Sequence, residues 1–121
     1  MKLIGVLILM IAAHHSFAMF DFEKQVTLQG TVKEFHWTNP HVWLEIAVLD
    51  AKGGTTAWSF EMGAPGMLAR TGWKSRMLVA GDKVTVVANP LKSGEPRGRV
   101  VTVTLPGGRV MGPGGIVPRQ Y

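Results

Sequence analysis

Val26-Thr27-Leu28-Gln29-Gly30-Thr31-Val32-Lys33-Glu34-Phe35-His36-Trp37 reads as one long strand with a fault in its middle. Val26, Leu28 and Val32 alternate with Thr27, Gln29, Thr31 and Lys33, the period of two of a half-buried strand. Phe35 and Trp37 then fall on the opposite parity. Two apolar sets out of phase predict a bulge or strong coiling near Gly30 or Glu34. A strand needs such a device when it serves two sides of a small barrel.

Downstream, Asn39-Pro40 is a turn signal, because proline fixes its own φ and pushes the residue before it out of the helical region. A second strand runs from His41 to Leu49. Val42, Leu44, Ile46 and Val48 point to one side, which reads as core. His41, Trp43, Glu45 and Ala47 point to the other, and the first three make an unusual set for a merely solvated face. The competing reading is that Trp43 covers a sheet edge and the histidines cap a turn. Asp50 to Gly54 is a hairpin connection to a third strand, Thr55 to Glu61, with Trp58 and Phe60 on one face.

The rhythm then changes. Gly63 to Gly72 predicts a helix of a turn or two, with Pro65 in its first turn and Gly72 at its end. Met67, Leu68 and the following Trp73 are expected to face the core. Lys83 to Ala88 and Val100 to Leu105 are the fourth and fifth strands, separated by a polar loop from Asn89 to Arg99. Three strands, a short helix and two strands make an all-β fold with one short helix. The layout is that of a five-stranded OB-like barrel, β-β-β-α-β-β. A small open β-sandwich is the alternative. The barrel domain spans residues 19–110, and residues 111–121 read as a flexible Gly/Pro-rich tail.

The chain has 121 residues, 46% hydrophobic and 17% charged, which suits one globular domain. Cysteine is absent, so disulfides, thiolate metal sites and thiol nucleophiles are excluded. Met1-Lys2 followed by the apolar run Leu3 to Ala13 fits a signal peptide, short for a membrane span. Ser16-Phe17-Ala18 fits the small-x-small rule, so residues 1–18 form the leader if cleavage follows Ala18. A second cut, after Ala13, would leave His14 at the terminus. Both predict export to the periplasm or beyond, with no integral membrane segment left after cleavage.

Net charge is +5, unevenly spread. From Met19 to Glu61 six acids face three lysines; from Met62 onward nine bases face two acids. The bases are spaced along the chain, as solvated strand ends are, and an exported protein is not expected to bind nucleic acid.

Ser16, Ser59, Ser75 and Ser93 lie in no nucleophile-elbow context, and the glycine pairs precede no helix that could hold a phosphate. Glu45 and Glu61 could pair across strands two and three, though surface carboxylates near lysines are the simpler reading. Metal binding has more substance. The four histidines fall into two pairs, His14/His15 and His36/His41. Neutral imidazole suits copper, zinc and nickel.

The residues His14-His15-Ser16-Phe17, Val26-Thr27-Leu28-x-Gly30-Thr31-Val32, Trp37-Thr38-Asn39-Pro40-His41, Trp58, Glu61, Pro65, Leu68, Arg70, Gly72-Trp73 and Gly81-Asp82-x-Val84-Thr85-Val86 together resemble the bacterial exported proteins grouped as DUF6152. The likeness runs from about His14 to Val110. It implies export and a small β domain, and it carries no activity. It also implies a mature terminus near His14, which tips the expected cut to the bond after Ala13.

The sequence therefore predicts an exported, non-enzymatic binding or interaction module. Its surface would use His36, Trp37, His41, Trp43, Glu45 and Trp58, and its partner would be an exported protein or a small ligand. The alternative is a periplasmic copper or zinc binder using His14, His15, His36 and His41.

Overall fold

The computed structural model describes residues 17–118. The predicted leader through Ser16, with His14 and His15, lies outside the described residues, as does the end of the chain beyond residue 118. No helix among the described residues is long and apolar enough to cross a membrane.

The long first strand, β1 (Val26–His36), is the hinge of the architecture. Val26 to Thr31 pair antiparallel with β4 (Lys83–Pro90), while Gly30 to His36 pair antiparallel with β2 (Trp43–Leu49). The fault read from the sequence is a register shift between Val32 and Glu34. One extra residue, Lys33, flips the parity. Val32 and Phe35 both turn inward, and Glu34 and His36 turn out.

β2 pairs antiparallel with β3 (Thr55–Glu61), and β3 pairs in parallel with β5 (Arg97–Thr104), which is antiparallel to β4. The ring is therefore β1-β2-β3-β5-β4, closed back on β1. This is the OB-like barrel, and the β3–β5 pairing overturns the open sandwich. Its core holds Val32, Leu44, Ile46, Phe60, Val86 and Val103, each from an alternate strand position.

The helix α1 (Pro65–Arg70) has proline in its first turn. Six residues give it one good inward position after Pro65, taken by Leu68; Met67, expected inside, is 65% exposed. Trp73 follows and is buried.

The expected tail is the main correction. Val110–Gly112 (β6) adds antiparallel to β5, and Gly115–Ile116 (β7) folds back on β6. Met111 enters the core, and the Trp73 indole N–H donates to the Gly112 carbonyl at 2.9 Å. At the other end, Phe20 is buried and bridges to Leu91, the Met19 carbonyl accepts from Lys92 N, and the Lys24 carbonyl accepts from the Asn89 amide. The chain before β1 is thus tied to the β4–β5 connection, an attachment the sequence pattern did not signal.

Candidate functional site

The bulge and the ring closure together decide what stands on the outer face. Register carries two rows across four strands. His36 faces Trp43, Trp43 faces Glu61, and Glu61 faces Arg99. Beside it, Glu34 faces Glu45, Glu45 faces Ser59, and Ser59 faces Arg97. Neighbours in register share a face of a sheet. The face therefore runs from acid-rich at β1 to basic at β5.

Trp43 sits in the middle, half-buried, with the Arg97 guanidinium over its ring at 5.6 Å. A guanidinium over an indole ring sets a cation and an apolar face side by side. On the β1 side, His36 Nε2 lies 3.0 Å from Glu34 Oε2 and 4.0 Å from Glu45 Oε1.

Glu61 is the buried member of the face, 4% exposed. Its Oε1 lies 3.3 Å from His41 Nε2 and 3.7 Å from Arg99 Nη1. The other nitrogen of His41, Nδ1, lies 3.0 Å from the Met62 carbonyl, an acceptor only, so Nδ1 carries a proton and donates. The ring is clamped between a carbonyl and a carboxylate, which fixes the start of β2 against the end of β3. Arg99 also lies over the Phe17 ring at 5.1 Å.

Glu61→Gln keeps the shape and removes the charge that His41 and Arg99 face. The expected loss of stability is about 1–2 kcal/mol, less than for a wholly buried pair, because His41 and Arg99 keep some solvent. Urea unfolding monitored by tryptophan fluorescence checks it; an unchanged midpoint would show that the pair contributes nothing.

Of the residues expected to form a binding surface, the structure brings His36, Trp43, Glu45 and His41 to this side of the barrel. It does not bring Trp37 or Trp58. Trp58 pairs with the inward Ile46 and stacks on Phe60, centroids 5.9 Å apart and 13° from parallel. Trp37 packs edge-on against Phe35. Both belong to the packing of the barrel. His36 and His41 also serve different carboxylates, so the two do not form one histidine pair.

Glu34, Ser59, Arg97 and Arg99 also stand on this face, although the sequence pattern assigns none of them to a site. An open groove of about 590 Å³ lies by Thr31, Lys83, Thr85 and Thr104, where Lys83 Nζ donates to Thr31 Oγ1 at 2.6 Å. Its lining mixes four threonines and Gln29 with apolar residues such as Leu49, Val84 and Leu105, and Lys83 is its one cation.

Comparison with protein families gives a match over residues 5–100 to the family described as "Family of unknown function (DUF6152)". The chain belongs to the DUF6152 family. Comparison with curated proteins and with solved structures returned no match. The DUF6152 match spans the whole of β1 to β4, so both sides of the bulge and the turn that carries His41 lie inside it.

Proposed function

We propose that this DUF6152 chain is an exported, non-enzymatic binding module that engages its partner through the outer face of β1, β2, β3 and β5. The observation that carries the reading is Trp43 with the Arg97 guanidinium over it, set between an acidic and a basic flank. An amphipathic aromatic at the centre of a charged, polar surround is the composition of a contact surface. In OB barrels the faces of strands two and three commonly bind ligands.

The partner is an exported protein or a small ligand that combines an apolar or planar group with acceptors for Arg97 and Arg99. A thermal-shift screen of glycans and anionic lipids, run in a metal chelator, is expected to find a stabilising ligand. Trp43→Ala should abolish that shift while lowering the stability of the free protein by about 1 kcal/mol or less, the scale of a cross-strand surface pair. A screen in which no ligand raises the melting temperature, or in which Trp43→Ala retains the shift, would remove the basis of the reading.

Export rests on the apolar run from Leu3 to Ala13 and the small residues that follow it. Cleavage after Ala13 is the reading preferred, and Phe17 supports it. A chain beginning at Met19 loses the ring beneath Arg99, while one beginning at His14 keeps it. Intact-mass measurement of the exported protein is expected to give a chain starting at His14. A mass corresponding to Met19 would overturn that choice of cut.

A further inference from the structure

The acidic flank of the outer face holds a grouping that aromatic contact does not use. Glu34, His36 and Glu45 each offer one ligand atom, and the three atoms lie within 4.8 Å of one another. Glu34 and Glu45 stand directly opposite each other in register across β1 and β2. Like charges in that position repel and destabilise a strand pair. Among the described residues the only basic side chain within 4.0 Å of either carboxylate is that of His36, with no lysine or arginine so near.

The arrangement exists only because of the bulge. With regular pleating after Val32, Glu34 and His36 would point into the barrel and Phe35 would point out. The extra residue at Lys33 puts an imidazole and a carboxylate on the outer face, beside a second carboxylate. Bulges commonly re-aim side chains in this way at functional positions.

We propose that Glu34, His36 and Glu45 form a surface site for a divalent first-row ion of the zinc type. The donor set is one imidazole nitrogen and two carboxylates. Imidazole selects against magnesium and calcium, which prefer oxygen-only sites, and the absence of thiolates selects against soft monovalent copper. Three protein ligands leave a tetrahedral ion one open position, for water or for a donor from another molecule. A dication would also answer the repulsion between Glu34 and Glu45. The site does not depend on the partner-binding reading, since an ion could be held whatever Trp43 touches.

The test is calorimetric titration of the full chain with zinc chloride. His14 and His15 could hold a separate ion, so the titration uses the His14→Ala/His15→Ala variant as the parent. One equivalent is expected to bind. Loss of an outer-shell partner of a metal site typically costs about 10- to 100-fold in affinity. Loss of a ligand should cost at least as much. Glu34→Gln, His36→Gln and Glu45→Gln, each added to that parent, are therefore expected to weaken zinc at least tenfold. Glu23→Gln and Glu95→Gln, at exposed carboxylates outside the group, should leave the isotherm unchanged. These side chains are at least partly exposed, and circular dichroism verifies that each variant is folded. Absence of a zinc equivalent in the parent overturns the proposal, as does an equivalent that survives all three ligand changes.

Discussion

Replacing Trp73 by alanine is expected to lower the unfolding free energy by about 3–5 kcal/mol, the usual cost of truncating a buried large aromatic. A domain of this size has only about 5–15 kcal/mol in total, so the variant should be close to the edge of folding. The reason for so large an effect is that Trp73 works at two levels. Its ring is 2% exposed and packs against Phe35 at 6.1 Å, on the inward side of β1 just past the bulge. Its indole N–H is also the anchor of the C-terminal hairpin, donating to the Gly112 carbonyl at 2.9 Å.

The two contributions can be separated. Trp73→Phe keeps much of the apolar contact and deletes the donor, leaving a buried carbonyl unpaired at a cost of about 1–3 kcal/mol. The amides of β6 and β7 should then exchange faster than those of β1 to β3, because the lost bond holds the hairpin and not the ring. Urea unfolding gives the first quantity and hydrogen exchange the second. A Trp73→Phe protein with wild-type stability and unaltered exchange at Met111 and Val117 would show that the hydrogen bond is incidental.

The sequence signals that succeeded were periodic ones. The parity break between Val32 and Phe35 could be read from the chain because burial on one side of a strand leaves a period of two, and a bulge shifts its phase. The hairpin at Asp50 to Gly54 was legible for a local reason: the Asp50 carboxylate accepts from Lys52 N and Gly54 N, and Gly53 takes a positive φ of 79°. What failed was either too short or too distant. Strands of three and two residues carry no period, so glycine and proline from Met111 onward read as a tail. Only the burial of Met111 and the bond to Trp73 reveal a hairpin.

The site divides in the same way. His36, Trp43 and Glu45 follow from alternation along single strands. Arg97 and Arg99 do not, because they reach the face through a parallel pairing between strands far apart in the chain. In the sequence they read as the end of a polar loop. Glu34 required the bulge to be fixed at Lys33 and not at Gly30. Trp58 shares parity with Phe60, and with Phe60 in the core it lies on the inner side and not on this face.

Gly30 is where the barrel tolerates least change, and Gly30→Ala is expected to destabilise it toward the upper end of the roughly 1–3 kcal/mol range for overpacking. Valine should cost more. The argument is steric, since Gly30 has no positive φ. At this residue β1 is paired on both sides, with Val48 of β2 and with Val84 of β4, so the strand is held from two directions. A Cβ added at Gly30 would lie 2.6 Å from the Ala47 carbonyl oxygen and 3.0 Å from Ile46 Cδ1. The carbonyl belongs to the backbone of β2 and can yield only if the β1–β2 ladder shifts. That ladder also sets Glu34 opposite Glu45 and His36 opposite Trp43, so the outer face should be disturbed with it. Gly66 is the control with the opposite sign. It lies in α1, exposed, with open space where a Cβ would go. Alanine there should stabilise by up to about 1 kcal/mol, since glycine is the poorer helix former. Parallel urea titrations of the two variants decide the matter. A Gly30→Ala protein as stable as the wild type would mean that β2 moves away from β1 at little cost, and that the close approach at Gly30 does not set the shape of the ring.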